Sequence, residues 1–552
     1  MKVYQRLAQA FVAEGCARTY GMMGDANMFW LDEMHKLGVQ VHEVRHEGAA
    51  VGMADGHARV DRTHPGVAYV TCGPGLTQIA TALVTAARAR SPLVVFAGEH
   101  PLEDPEYSQH YDPGPFAAAC EAGFVRMTTP DLADEAVSKA FHMARTQNRP
   151  VLLSVPMDLQ QKAWEDEDED YVPSTARITP SVLQPDPALV ERAAALIAGA
   201  KKPVIIMGRG AQWSDAGAAC VRLAERTGAL LATSMLARNY VGDQSEYFAG
   251  ISGSYAAKVS MELMRDADLV IGVGASMNRF TLENGYLYPD AQFIQLDIRP
   301  GLLMYGARMA DCYVQTDAKV GVEKIEAALA ARNFSNTGYH LPGVKEKLAT
   351  RTDDSMPIAL DPGTVDPREV VRVLDELVPR DIGVIVGTGS QSGFSQIGLK
   401  KTRPLSGGGL FFACIGQGLP AAMGAIGATG NQPALLIDGE AAFMMHLAEF
   451  ETAVRYGMPL LVAVMNNEAL GAEYYKLDAK GMDASTSIIS CPDLGQVAVS
   501  LGGQGAMVRD IADLRSAVQA WLAKPGPMVL DCRISRTVAS LNYRRTYYGM
   551  DV

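Results

Sequence analysis

An acid and an amide stand at the ends of two successive apolar runs in the last third of the chain. Gly439-Glu440-Ala441-Ala442-Phe443 follows the run 433–438, and Asn466-Asn467 closes the run 460–465. The pattern predicts a strand over 433–438, a turn of small residues, a helix over 446–457 and a second strand over 460–465. A carboxylate at the first strand end, Asp438 or Glu440, and an amide oxygen at the second can meet on one hard cation. Gly439, Ala441 and Ala442 carry little or no side chain, so a diphosphate can approach the backbone N–H groups beside that cation. The chemistry this spacing could do is magnesium–diphosphate binding. Taken alone, a strand-end asparagine pair is more often a turn former.

The elements that must position these residues are legible as alternation. Short apolar runs recur at 67–71, 93–97, 151–155, 204–207, 269–273, 293–296, 384–386, 435–437, 460–465 and 528–530, with helical periodicity between them. Such βα alternation predicts layers built on parallel sheets. A length of 552 residues suggests three domains. Two polar stretches divide them: the acidic run 165–170 followed by Pro173, and the segment 333–363, which ends at Asp366-Pro367, an N-cap with proline at the first helical position. The expected fold is therefore α/β, with three doubly wound parallel-sheet domains at 1–165, 186–333 and 364–552. The acidic run reads as a solvated connector rather than an interaction tail.

Composition excludes several function classes. A formal net charge of -13 disfavours a nucleic-acid partner. No run is apolar and long enough to span a bilayer, and the N-terminal stretch reads as an amphipathic helix rather than a signal peptide. Eight scattered cysteines without a CxxC predict free thiols in a reducing compartment, with the cytoplasm as the default.

Four further segments complete a pattern. They are Val44-Arg45-His46-Glu47-Gly48-Ala49-Ala50, running on to Arg59; Thr71-Cys72-Gly73-Pro74-Gly75-Leu76-Thr77-Gln78; Val386-Gly387-Thr388-Gly389-Ser390; and Ala413-Cys414-Ile415-Gly416-Gln417-Gly418. With the Gly439–Asn467 pattern they resemble the signature segments of thiamine diphosphate (ThDP)-dependent enzymes, the family of acetolactate synthase, benzoylformate decarboxylase and pyruvate decarboxylase. The resemblance covers essentially the whole chain. It implies that Glu47 hydrogen-bonds the cofactor's pyrimidine and activates it, a role that needs a protonated carboxyl in an apolar pocket. It also implies that Gly73, Gly75 and Gln78 line the cofactor, and that Gly389 and Ser390 donate to the diphosphate. Ile415 would wedge beneath the two rings, and the Ala413 carbonyl would accept from the amino group.

The family's metal signature is Gly-Asp-Gly followed by Asn-Asn. Gap-free spacing puts Glu440 at the acid position, with Asp438 as the fallback, and the Asn467 side chain and the Ala469 carbonyl complete the Mg²⁺ ligands. Ala441 stands for the second glycine, and Cys72 and Gln78 also depart from the usual loop.

The substrate side is mixed. Gly24-Asp25-Ala26-Asn27 resembles a turn of pyruvate and indolepyruvate decarboxylases, and Glu473 falls at a second acid position of that group, whose twin histidines are absent. Gln109-His110-Tyr111-Asp112 resembles a segment of the acetolactate synthases. His110 could shuttle a proton near pH 7. Thr281 stands in the region where benzoylformate decarboxylase has a catalytic histidine. The expectation is a ThDP- and Mg²⁺-dependent decarboxylase or carboligase of a small 2-oxo acid, passing through a C2-enamine after carbon dioxide leaves. It would work as a homodimer or homotetramer with the site at the subunit interface. Two alternatives stand beside it: an FAD-containing acetolactate synthase of branched-chain amino acid synthesis, and a non-catalytic cofactor-binding paralogue.

Overall fold

The computed structural model describes residues 1–550 apart from 105, 166–168, 179–180, 300, 307, 352–353, 355, 405 and 409–410. Half of the acidic connector, 166–168, therefore lies outside the described residues. The rest folds into three six-stranded sheets, parallel throughout. The first holds β1 (Arg18–Gly21), β2 (Gln40–Glu43), β3 (Gly66–Val70), β4 (Leu93–Glu99), β5 (Gly123–Arg126) and β6 (Pro150–Pro156), in the order β2-β1-β3-β4-β6-β5. The second holds β7 (Pro203–Met207), β8 (Leu230–Thr233), β9 (Phe248–Ile251), β10 (Leu269–Val273), β11 (Gln292–Asp297) and β12 (Cys312–Gln315), in the order β12-β11-β10-β7-β8-β9. The third holds β13 (Gly383–Val386), β14 (Ser406–Gly408), β15 (Ala434–Gly439), β16 (Leu460–Asn466), β17 (Gln504–Val508) and β18 (Met528–Arg533), in the order β14-β13-β15-β16-β18-β17.

The outer two sheets share one strand order, and the middle sheet has the order of doubly wound dinucleotide-binding folds. That order by itself carries no ligand. In open parallel sheets, ligands bind beyond the strand C-termini where the winding reverses. In the first sheet that place lies between β1 and β3, and in the third between β13 and β15. Central strands β3, β4, β6, β15, β16 and β18 are buried almost throughout, which is why they read as continuous apolar runs.

One expected element changes character. The small-residue turn after the 433–438 strand is a short helix, Glu440–Met445, which begins directly as β15 ends; the expected 446–457 helix shortens to Ala448–Arg455. Alanine at 441 and 442 favours helix, so the chain needs no separate turn. The expected N-cap at Asp366 is present, its carboxylate accepting from Arg368 N–H (2.8 Å) at the start of Pro367–Leu377.

The first and third sheets are joined by a close helix pair. Helix Glu47–Val60 packs on helix Gly418–Ala428, and both begin at segments singled out by sequence. A Cβ at Gly56 would collide with the Ala421 carbonyl, and one at Gly424 with the Met53 carbonyl. A Cβ at Gly52 would lie 2.8 Å from Pro420 Cβ. The glycines let two backbones touch, and the two domain cores merge across this contact into one apolar cluster from Tyr20 to Val529.

Candidate active site

The C-terminal residues converge at the reversal point of the third sheet. Gly387 to Ser390 leave the end of β13, and Gly439 and Glu440 leave the end of β15 beside it. The Glu440 side chain turns away from Asp438 and into the turn after β16. Its carboxylate accepts from Ala469 N–H (2.9 Å) and from the Asn467 N–H. Burial raises it from 4.5 to about 7.

The two asparagines divide their work. Asn466 is structural: its amide donates to Asp531 (2.9 Å) and its carbonyl oxygen accepts from Glu468 N–H (3.1 Å). Asn467 turns its amide nitrogen toward Gly471, which leaves its carbonyl oxygen for a cation. None of the described residues donates a hydrogen bond to the Ala469 carbonyl. Ser390 and Asn467 close on Gly471, where a Cβ would strike the Ser390 hydroxyl and lie 2.9 Å from Asn467 Nδ2. One carboxylate, one amide oxygen and one peptide carbonyl around a glycine-lined cradle make a donor set of hard oxygens, incomplete until a ligand adds its own. That fits Mg²⁺ held together with a diphosphate.

Asp438 occupies a different place. Its carboxylate lies where a Cβ on Gly387 or Gly418 would be, accepts from Gln391 Nε2 (3.3 Å) and Gly439 N–H (2.9 Å), and leaves Oδ2 without a partner. Burial raises it from 3.8 to about 7, with Glu440 adding to the effect. Only Glu440 shares a turn with Asn467 and Ala469.

Two non-glycine residues here have left-handed backbones, Ala413 (φ 56°) and Glu468 (φ 52°). Such conformations cost about 1 kcal/mol or more and persist where the surroundings over-determine them. Ala413 is exposed and Ile415 half-buried. Their segment is pinned by aromatic–guanidinium contacts from both other domains. Phe411 lies between Arg59 (4.5 Å) and Arg209 (4.7 Å), Arg88 covers Phe412 (4.5 Å), and Cys414 meets the Thr85 hydroxyl (3.2 Å). Ala441 is half-buried and Ala442 buried in the short helix over the cradle.

The N-terminal residues converge at the reversal point of the first sheet. Asp25 follows β1, Glu47 follows β2, and Cys72 to Gly75 follow β3. Glu47 begins its helix just after His46, whose Nδ1 accepts from Gly48 N–H (3.0 Å). It is half-buried, reaches toward Gly75, where a Cβ would lie 3.4 Å from its Oε1, and receives no hydrogen bond from the described residues. Gly73, with φ 54°, lets the Gln109 carbonyl approach to 2.6 Å of where a Cβ would be. Gln109 Oε1 accepts from the Cys72 thiol (3.1 Å). Gln78 turns its backbone carbonyl to Gly48 and leaves its side chain exposed.

Asp25 and His110 are exposed. The Asp25 turn is closed by Asn27, which accepts from Gly24 N–H (2.9 Å) and donates to the Met22 carbonyl (3.2 Å). Glu473 is exposed on helix Gly471–Ala479, 3.5 Å from Lys476. Thr281 is buried, its carbonyl accepting from Ser252 (2.8 Å).

Within one chain the two sets meet only at their flanks. Arg45 N–H donates to Glu449 Oε1 (2.9 Å), and the His46 and His446 rings lie 5.7 Å apart, edge to face. No hydrogen bond or ion pair of the described residues joins Glu47 to Glu440, Asn467 or Ile415.

Three family models match this chain in succession: the N-terminal TPP binding domain of thiamine pyrophosphate enzymes over residues 1–120, their central domain over 190–325, and their C-terminal TPP binding domain over 388–532. The chain belongs to the thiamine pyrophosphate enzyme family. Among curated relatives, a probable acetolactate synthase large subunit of Methanocaldococcus jannaschii is 27% identical, covering 96% of this chain and 91% of that protein. An acetolactate synthase large subunit of Haemophilus influenzae is 26% identical over 93% and 91%. A sulfoacetaldehyde acetyltransferase of Alcaligenes xylosoxydans xylosoxydans is 27% identical over 93% and 89%. The chain is thus a ThDP-dependent enzyme, and the reading as a non-catalytic paralogue falls away.

Each matched segment falls on one sheet: the first covers β1 to β4, the second all of β7 to β12, and the third runs from just after β13 into β18. In this ThDP enzyme the middle-domain glycines are spent on backbone packing: a Cβ at Gly210 would lie 2.7 Å from Gly274 Cα. Arg209 docks that domain on the first, donating to the Ala89 carbonyl (2.7 Å). Burial, with Arg59, Arg62 and Arg90 nearby, pushes its guanidinium down to about 9.

Sequence reasoning missed His100, which follows β4 directly. Its ring is buried against His110, with centroids 4.1 Å apart, and its Nδ1 has no partner. The signal available was its place: the first residue past an apolar strand, on the sheet edge that carries Asp25 and Cys72.

Proposed function

We propose that this enzyme is a Mg²⁺- and ThDP-dependent decarboxylase or carboligase of small 2-oxo acids, with its site formed between the first sheet of one copy and the third sheet of another. The observation that carries the reading is the enclosure of the Glu440 carboxylate in the Asn467–Ala469 turn, at the reversal point of a sheet whose neighbour strand presents Gly389 and Ser390. Glu440, Asn467 and the Ala469 carbonyl would hold the metal, and Gly389, Ser390, Gly439 and the short helix behind it would hold the diphosphate. When bound, ThDP supplies the electron sink for carbon dioxide release.

The chain's own groups do the rest. Glu47 offers the pyrimidine an undonated carboxyl. Ile415 and the strained Ala413 shape the floor, and Gln109 holds a substrate oxygen. Asp25, His110 and Glu473 handle protons. Assembly of the site from two copies is what the family resemblance implies, and within one chain Glu47 and Glu440 follow the strand ends of different sheets. Eight free cysteines support a reducing compartment such as the cytoplasm. No helix of the described residues is long and apolar enough to cross a membrane.

The test is direct. Chelator-treated protein should bind ThDP only with Mg²⁺ present, by calorimetry. The reloaded enzyme should release carbon dioxide from at least one member of a 2-oxo acid panel, with the organic product identified by mass spectrometry. Tight cofactor binding without turnover of any 2-oxo acid would overturn the substrate class. A yellow protein that releases flavin on denaturation would restore the FAD-containing alternative.

A further inference from the structure

The loop after β4 folds back so that two histidines near its ends, His100 and His110, meet. His100 is 6% exposed and His110 is exposed, and their rings meet edge to face at 4.1 Å with an interplanar angle of 78°. The loop that carries His110 is fixed from below. Its backbone N–H donates to the Tyr107 carbonyl (2.8 Å), the neighbouring Gln109 carbonyl lies against Gly73, and Gln109 Oε1 takes the Cys72 thiol. An exposed imidazole on such a loop would still turn freely about its own side-chain bonds; the His100 ring removes that freedom.

The surroundings are those of a proton-handling pair. His100 Nδ1 is buried and unpartnered. The nearest acid, Glu99, lies 4.0 Å away and is engaged by Arg126 and by the Ser154 hydroxyl. Asp104 and Asp112 of the loop and Asp158 beyond β6 also face His100, and Asp25 and Cys72 face the loop through Tyr107. Burial first, and then His110, hold His100 below the usual histidine range. Of the two rings only His110 is exposed, so it is the one that can meet substrate and water.

We propose that His110 is the proton carrier of the site and that His100 is the positioning residue that fixes its ring. The inference rests on the reading of the site as a 2-oxo acid decarboxylase. After carbon dioxide leaves, the N–H bond of His110 breaks as the new C–H or O–H bond of the product forms, and His110 regains its proton from water. His100 touches neither substrate nor cofactor.

The experiment uses the full-length holoenzyme with His110→Gln, His100→Ala and His100→Phe, each checked for an unchanged thermal unfolding profile. His110→Gln lowers kcat roughly a hundredfold. His100→Ala lowers it about tenfold, with KM and ThDP affinity within about twofold of the parent. His100→Phe, which restores the ring face without the nitrogens, recovers most of that loss. Independently of turnover, the rate of carbethoxylation at His110 at one fixed pH, followed by peptide mass spectrometry, rises about threefold in His100→Ala, because the ring is freed on one side, and returns toward the parent in His100→Phe. Equal carbethoxylation rates in parent and His100→Ala would overturn the pairing, and so would equal activity of His100→Ala and parent. If no 2-oxo acid is turned over while the carbethoxylation rate still changes, the proposed function fails and the contact of the two rings stands.

Discussion

Replacing Glu440 by glutamine should have opposite effects on the apoprotein and on the cofactor-loaded enzyme. In the chain alone, burial holds the Glu440 carboxyl near 7 against an ordinary 4.5. A raised carboxyl binds its proton more tightly in the folded than in the unfolded state. Its unfavourable contribution is therefore absent below about pH 4.5, grows as pH rises, and is complete above about pH 7. The difference corresponds to about 3 kcal/mol of lost apoprotein stability at pH 8. Glu440→Gln retains an oxygen to accept the Ala469 N–H but cannot ionise, and it also relieves Asp438, which Glu440 helps to raise. In chelator, the variant should therefore be more stable than the parent at pH 8 and close to it at pH 5.

Adding ThDP and Mg²⁺ should reverse the order. At a thousandfold excess over Kd, ligand binding stabilises a folded protein by about 4 kcal/mol, and the variant lacks the charge the cation needs. The assay is chemical unfolding at pH 5 and pH 8, with and without the cofactor pair, comparing midpoints because three domains need not unfold in one step. Asp438→Asn is the control. It should also stabilise the apoprotein but keep most of the cofactor effect. If the cofactor pair stabilises Glu440→Gln as well as the parent and fails on Asp438→Asn, the metal register argued here is wrong.

Other outcomes follow from the same geometry. Glu47→Gln should leave the fold and Mg²⁺-dependent ThDP binding largely intact and lower turnover roughly a hundredfold or more, with the exchange rate of the cofactor's C2 proton as the direct readout; equal exchange in both proteins would remove Glu47 from its role. Gly424→Val must push a side chain into the Met53 carbonyl, so it should destabilise the protein by about 2 kcal/mol or more and lower the unfolding midpoint. Among the eight thiols only Cys414 and Cys491 are not buried, so a thiol reagent should modify Cys414 first in native protein. Cys491, which burial pushes up to about 11, should follow slowly, and the other six only on unfolding.

What the sequence made legible divides along a physical line. Ten strands were visible as apolar runs, and each is flanked on both sides by other strands in its sheet. The six edge strands, β2, β5, β9, β12, β14 and β17, left no such run, because an edge strand of four or so residues with a half-exposed face, such as Gln40–Glu43, needs no continuous apolar stretch. β1 and β8, four residues long like β13, are interior strands that these runs also left out. The site followed the same rule. Glu47, Gly73, Glu440 and Asn467 were legible because each lies just past a strand, within a local motif whose spacing is set by one βα turn. The preference for Glu440 over Asp438 rested on the spacing of the family signature; in the structure Asp438 still belongs to β15 and bonds Gln391 and Gly439, whereas Glu440 opens the next helix and bonds Ala469 N–H. The His100–His110 contact was not legible, since it depends on how Gln109 closes against Cys72 and Gly73, which follow β3. Contacts made by loop closure across strands leave no periodic trace in sequence. At the reversal point of a parallel sheet such loops carry the residues that distinguish one substrate from another, so the cofactor could be read from the chain while the substrate could not.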